Sequence, residues 1–284
     1  MNSLKTKLAN LSEMVMLQHS IFSLPFIFIA MLIAADGWIG WKLLVLGIFA
    51  AVSARNFAMG VNRYFDRDID VLNPRTKNRP SVDGRVSTAT MMGFIVFNAV
   101  AFILVAYFIN DMALILSVPI LIILGAYTFF KRFSSFAHII LGISLGLAPI
   151  AGVVAVTGEI TTWSLYLAGG VVFWVAGFDL LYSLQDIEFD KANNLHSIPS
   201  QFGVKNTMLI AKVFHFMTIV LWVFFIQSAG LGLWATIAVV LSAIMLTYEH
   251  YLVSKDFTKI DKAFFTVNGY LGIMFLLLII LEVL

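Results

Sequence analysis

Residues 41–70 read WKLLVLGIFAAVSARNFAMGVNRYFDRDID. The apolar run 41–63 stops abruptly in Asn62-Arg63-Tyr64-Phe65-Asp66-Arg67-Asp68-Ile69-Asp70. About 20 apolar residues carry a helix across a bilayer, so this stretch reads as a membrane span with acids at its end. Asn62, Asp66 and Asp70 are spaced i, i+4, i+8, which lines one face of a helix. Arg55, seven residues before Asn62, falls close to the same azimuth but deeper in the apolar run. Charges inside a membrane span are costly, and a functional role is their first explanation. A local ladder of Arg63 with Asp66 and Arg67 with Asp70 explains the same letters equally well.

The rest of the chain agrees with a lipid solvent. Of 284 residues, 61% are hydrophobic and 12% charged, against about 25% charged in soluble domains. Nine runs are long enough to span: 14–35, 41–63, 89–109, 112–130, 136–157, 164–184, 208–228, 231–253 and 263–283. The reading is an all-α, polytopic, single membrane domain over 1–284, its nine helices arranged around a cavity. The first run follows Lys5 and Lys7 but is too long for a removed leader, so it reads as a retained helix. Gly142 and Gly146 suggest close helix packing, and Pro25, Pro119 and Pro149 local kinks.

The long polar connections 64–88, 185–207 and 254–262 fall on the N-terminal side. Lys5, Lys7, Arg67, Arg75, Lys77, Arg79, Arg85, Lys131, Arg132, Lys191, Lys205, Lys255 and Lys259 lie there, and the opposite loops hold only Lys42. Basic loops stay inside. The expectation is a bacterial inner-membrane protein with a cytoplasmic N-terminus, an outer C-terminus and a cavity open to the cytoplasmic side. A net charge of +2 gives no reason to expect nucleic acid, and oligomeric state stays open. With no cysteine, disulfides, thiolate metal sites and cysteine nucleophiles are excluded. His19, His138, His196, His215 and His250 share no spacing, which argues against a histidine-ligated metal.

A second acidic group ends the sixth run: Asp179, Tyr182, Asp186, Glu188 and Asp190, with Lys191 the only nearby cation in sequence. Asp179, Asp186 and Asp190 also share a helix face, and a divalent cation is the simpler counter-charge for them. Asp66 and Asp186, like Asp70 and Asp190, are 120 residues apart, a weak internal repeat that would bring both groups to one cavity. Two basic elements sit beside them. Asn73-Pro74-Arg75-Thr76-Lys77-Asn78-Arg79-Pro80 follows the first group, and Tyr127 and Lys131 end the fourth run. Phosphate binding explains both, as do membrane-surface attraction for the loop and a lysine snorkelling at a helix end.

Asn62-xxx-Asp66-xxx-Asp70, Tyr127-xxx-Lys131, Asp186-xxx-Asp190 and nine spans together resemble the UbiA family of intramembrane prenyltransferases, along essentially the whole chain. Asn73-Pro74-Arg75-Thr76, Asp186-Ile187-Glu188-Phe189-Asp190 and Leu195-to-Gly203 are most similar to its 4-hydroxybenzoate branch. Dihydroxynaphthoate acceptors remain open, and the haem farnesylating branch is less similar. Ser81-Val82-Asp83-Gly84 departs from the family's usual Leu-Pro at that point. The resemblance implies Mg²⁺ held by Asn62, Asp66, Asp70, Asp186 and Asp190 against the diphosphate of a polyprenyl donor. It implies Arg75, Arg79, Tyr127, Lys131, Tyr182 and Ser197 at the substrates. Arg55 would clamp the carboxylate of an aromatic acid, and Asp179 would orient or deprotonate its phenol. The reading from another class is a secondary transporter or divalent-cation carrier, whose ionisable site usually lies nearer the midplane.

Overall fold

The structure is a computed structural model and describes residues 2–16 and 24–284. With no water in hydrocarbon, backbone amides must be satisfied inside each segment, and the described chain is helical wherever it is apolar. The elements are α1 (Asn2–Val15), α2 (Leu24–Ala34), α3 (Gly40–Phe65), the single turn α4 (Arg67–Asp70), α5 (Thr88–Ile109), α6 (Asp111–Ala126), α7 (Ala137–Thr157), α8 (Thr162–Ser183), α9 (Ile187–Ala192), α10 (Ile198–Ala229), α11 (Leu233–Lys255), the short α12 (Ile260–Lys262) and α13 (Asn268–Val283). A 3₁₀ segment (Tyr127–Arg132) extends α6, another (Leu184–Asp186) joins α8 to α9, and a π-helical turn (Ala263–Val267) leads into α13.

Among the described residues, eight helical stretches are long and apolar enough to cross a membrane, and α2, with 11 residues, is shorter. The run 14–35, expected as one span, is two helices. The chain leaves α1 at Met16, where φ is 48°, and α2 begins at Leu24. Residue 19, one of the five histidines, lies outside the described residues. Both expected tight connections are present. Asn110 caps α6 by accepting from the Ala113 amide at 2.8 Å, and Gly230 turns the chain after α10 with φ 66°.

The most buried span, α8, packs between α7 and α10, while α2 packs on α7 and α13. The core is aromatic where these helices meet: the Phe26 ring lies 5.1 Å from Trp174 and 5.5 Å from Trp222, and Trp222 lies 5.0 Å from Phe275. Polar links join the same helices. The Trp174 indole donates to Asn268 at 2.7 Å, and Asn268 donates to the buried Glu249 at 2.8 Å. His215 and His250 hydrogen-bond each other across α10 and α11 at 3.0 Å. Large side chains such as Trp41, Phe97 and Phe216 face outward, where lipid is the natural neighbour.

Gly142 and Gly146 on α7 do lie against α8. A Cβ on Gly142 would stand 2.3 Å from the Val172 carbonyl oxygen, so the two backbones touch only because that side chain is missing. Overpacking of this kind costs about 1–3 kcal/mol. Gly142→Ala is therefore expected to lower the thermal unfolding midpoint in detergent micelles, whereas Gly93→Ala, with open space around its Cβ, should leave it unchanged.

Candidate functional site

The two acidic groups sit at the same end of the bundle. Helix α3 stops at Phe65, and Asp66 takes a non-helical conformation (φ −87°, ψ 6°) before the single turn α4. The face expected to run unbroken to Asp70 is thus interrupted, and the break turns both Asp66 and Asp70 inward: they are 1% and 5% exposed. Carboxylates so buried need counter-charges. Lys131 Nζ lies 2.7 Å from Asp66, and Arg79 lies 2.8 Å from Asp70. Arg63 stands 4.0 Å from Asp70, and Arg132 is 2.7 Å from Asp68 and 3.7 Å from Asp66. The ion pairs are thus not the local ladder of Arg63 with Asp66 and Arg67 with Asp70. Arg67 instead donates to the Tyr64 carbonyl at 3.0 Å. Hydrogen bonds from Arg132 hold the Asp68 carboxyl below its ordinary range.

Residues 73–80 form a strap from the first acidic group to the second. Arg79 holds Asp70, while Arg75 pairs with Asp186 and donates to the Tyr182 hydroxyl at 2.7 Å. Asn73 donates to Asp186 at 3.2 Å. From the other side, Ser197 donates to Asp190 at 2.7 Å while capping α10, and the His196 amide donates to the Lys131 carbonyl at 2.9 Å. The backbone of one basic element and the side chains of both acidic groups are thereby tied into one cluster.

Two adjoining cavities lie beneath it. The polar one, about 180 Å³, is lined by Asn62, Lys131, Asp186, Asp190, His196 and Ser197 among others. The larger one, about 410 Å³, is walled by Ala50, Ala54, Phe102, Leu124, Ala148 and Val175, with Arg55, Arg63 and Arg79 at its charged end. Asn62, Tyr127, Leu141 and Asp179 line both and mark the boundary between them, called the neck below. Near it Phe264, in the π-helical turn, stacks on Tyr182 with centroids 4.2 Å apart.

Arg55 lies deep on the same wall, as its azimuth predicts. Its Nη2 donates to the Met16 carbonyl at 2.7 Å, and its buried Nη1 has no hydrogen-bond partner among the described residues. Asp179, for which the sequence offers no local base, has one from the next helix: His138 Nδ1 lies 2.7 Å from its Oδ2. Sequence reasoning passed over His138, because 41 residues separate the pair and no periodicity links α7 to α8.

Among the described residues no three His, Cys, Asp or Glu side chains converge tightly enough to hold one ion. The donor chemistry nevertheless suits Mg²⁺, which prefers carboxylate and amide oxygens. Asn62, Asp66, Asp70, Asp186 and Asp190 offer only such oxygens, and Asp66 Oδ1 is buried without a hydrogen-bond partner among the described residues.

Residues 23–279 match the UbiA prenyltransferase family. The chain belongs to this family. It is 28% identical over 253 residues to 4-hydroxybenzoate octaprenyltransferase of Saccharophagus degradans, covering 88% of this chain and 83% of the relative. A solved apo UbiA homologue from Aeropyrum pernix K1 superposes with a TM-score of 0.85 at 31% identity, over 93% of this chain and 97% of that one. A UbiA homologue from Archaeoglobus fulgidus, solved bound to DMAPP and Mg²⁺, shares the fold with a TM-score of 0.79 at 18% identity, over 95% and 99% of the two chains.

The Lys131–Asp66 pair gives a direct test. Lys131 is about one-third exposed and Arg132 remains nearby, so Lys131→Met should cost less than the loss of a fully buried pair, about 1–3 kcal/mol. Adding Asp66→Asn should recover part of that loss, measured as a double-mutant cycle of unfolding midpoints.

Proposed function

We propose that the protein transfers a polyprenyl group from polyprenyl diphosphate to an aromatic acid of the 4-hydroxybenzoate type, with Mg²⁺ at the diphosphate, on the cytoplasmic face of a bacterial inner membrane. The observation that carries this reading is a chamber of carboxylates and cations that adjoins an apolar cavity, with four residues lining both. A molecule with a charged head and a hydrocarbon tail matches both parts. The name of the S. degradans relative supports the acceptor, and the DMAPP and Mg²⁺ bound by the A. fulgidus homologue support the donor and metal.

Asn62, Asp66, Asp70, Asp186 and Asp190 would hold the metal, which supplies charge neutralisation to the departing diphosphate. Arg75, Arg79 and Lys131, now on carboxylates, would turn to the phosphate oxygens as the substrate takes their place. Thr128 and Tyr127 support Asn62 from the neighbouring segment: Asn62 donates to the Thr128 hydroxyl at 2.9 Å, and Tyr127 shares the neck. Ser197 steadies Asp190 and the turn above it. Tyr182 stacks with Phe264 beside the neck, and Phe178 lines the adjacent cavity wall. These rings exclude water from the allylic cation left when the C–O bond breaks and offer their π faces to it. The acceptor carboxylate would take the unpartnered Nη1 of Arg55, which points the ring toward the neck. Asp179 would accept the phenolic proton, raising the electron density of the ring carbon ortho to the oxygen.

Membranes carrying the protein, a labelled polyprenyl diphosphate, Mg²⁺ and either 4-hydroxybenzoate or a dihydroxynaphthoate test this directly. Prenylated 4-hydroxybenzoate is expected, and EDTA should abolish it. Product from the naphthoate alone would replace the acceptor, and no product from either acid would overturn the reading. Losing a charged hydrogen bond worth about 1.5–3 kcal/mol, Arg55→Ala should raise the acceptor KM by roughly tenfold or more. The donor KM should change by less than about twofold; equal effects on both would remove the clamp role.

A further inference from the structure

We propose that His138 is a positioning residue for the reaction, acting through Asp179. The inference rests on the functional reading above, in which Asp179 meets the acceptor.

Asp179 stands at the neck, lining both the polar chamber and the apolar cavity. A bond-making centre at that boundary needs its proton acceptor held to a fraction of an ångström. The backbone beneath Asp179 is already fixed. A Cβ on Gly177 would stand 2.3 Å from the His215 ring, and one on Gly170 would stand 2.1 Å from the Trp222 indole nitrogen. So α8 is in close contact with α10 at both levels. The freedom that remains is rotation of the Asp179 side chain, which is about one-fifth exposed to the cavity.

His138 removes that freedom. Its ring is buried, at 6% exposure, and Nδ1 lies 2.7 Å from Asp179 Oδ2. A carboxylate can only accept, so Nδ1 carries the hydrogen in this contact. Among the described residues this is the one hydrogen bond shown to the carboxylate, and it falls on Oδ2. No hydrogen bond among the described residues occupies Oδ1. The step is a simple proton transfer: the acceptor O–H bond breaks, its proton joins Asp179 Oδ1, and the electron pair stays on the phenolate oxygen. His138 also lines the polar chamber, and its buried Nε2 makes no hydrogen bond among the described residues; it is not one of the residues proposed to hold Mg²⁺ or diphosphate.

The test uses the full-length protein in membranes with saturating Mg²⁺, polyprenyl diphosphate and 4-hydroxybenzoate. His138→Leu fills the space without a donor. His138→Asn puts an amide N–H near the Nδ1 position. His138→Leu is expected to lower kcat by about 10–100-fold, as loss of an orienting partner does, with donor KM within about twofold of wild type. His138→Asn should recover most of the loss. In an Asp179→Asn background, His138→Leu should cost little more, because the residue through which it acts is already lost. The proposal is overturned by a His138→Leu enzyme as fast as wild type, by His138→Asn as slow as His138→Leu, or by fully additive losses in the double variant. Should His138→Leu not fold, His138→Gln, whose amide lies beyond the Nδ1 position, replaces it. Absence of product from the wild type marks a failure of the functional reading instead.

Discussion

Carboxylates at the end of a membrane-spanning bundle require counter-charges from other segments, and the rest of this structure is arranged around meeting that need. Asp66 draws on Lys131, Asp70 on Arg79 and Asp186 on Arg75. Each pair crosses from one element to another, so satisfying the charges also ties the basic strap, the 3₁₀ segment and two helix ends together. Buried ion pairs add little net stability compared with apolar packing. Their persistence here fits a site whose cations are to be handed from one set of oxygens to another.

Acids and bases are mounted differently. Asp179 sits on a helix in close contact with its neighbours through Gly142, Gly170 and Gly177. Arg75 and Arg79 sit on a strap outside regular helix, and their long side chains reach back to the acids. On the proposed function, a substrate head group would be received by rotation of these long cationic side chains, with the wall that carries Asp179 unchanged.

The membrane architecture was largely legible in the sequence because hydropathy is a property of single segments. The runs from 41 to 283 each became a helix of about the expected extent. The positions of Asn62, Asp66, Asp70, Asp186 and Asp190 at one end of the bundle followed from their place at span ends. The finer arrangement was not legible. The counter-charge of Asp66 is Lys131, from the end of the next hairpin, and the partner of Asp179 depends on how α7 docks on α8. The division of 14–35 into two helices was hidden because the run stays apolar enough to pass for one span. In each case the deciding partner lies far away in the chain, and a periodicity carries no information about it.

The pairing of charges also has a kinetic side. Asp66, Asp68, Asp70 and Asp186 are matched by Lys131, Arg132, Arg79 and Arg75. Four opposite charges at contact distance cancel, and what field they leave fades within a Debye length of about 8 Å at physiological salt. These pairs cannot draw a distant anion toward the chamber. On the proposed function, a polyprenyl donor would instead meet the chamber by lateral diffusion within the bilayer, and added salt would bear on the exchange of partners after arrival more than on the frequency of encounter.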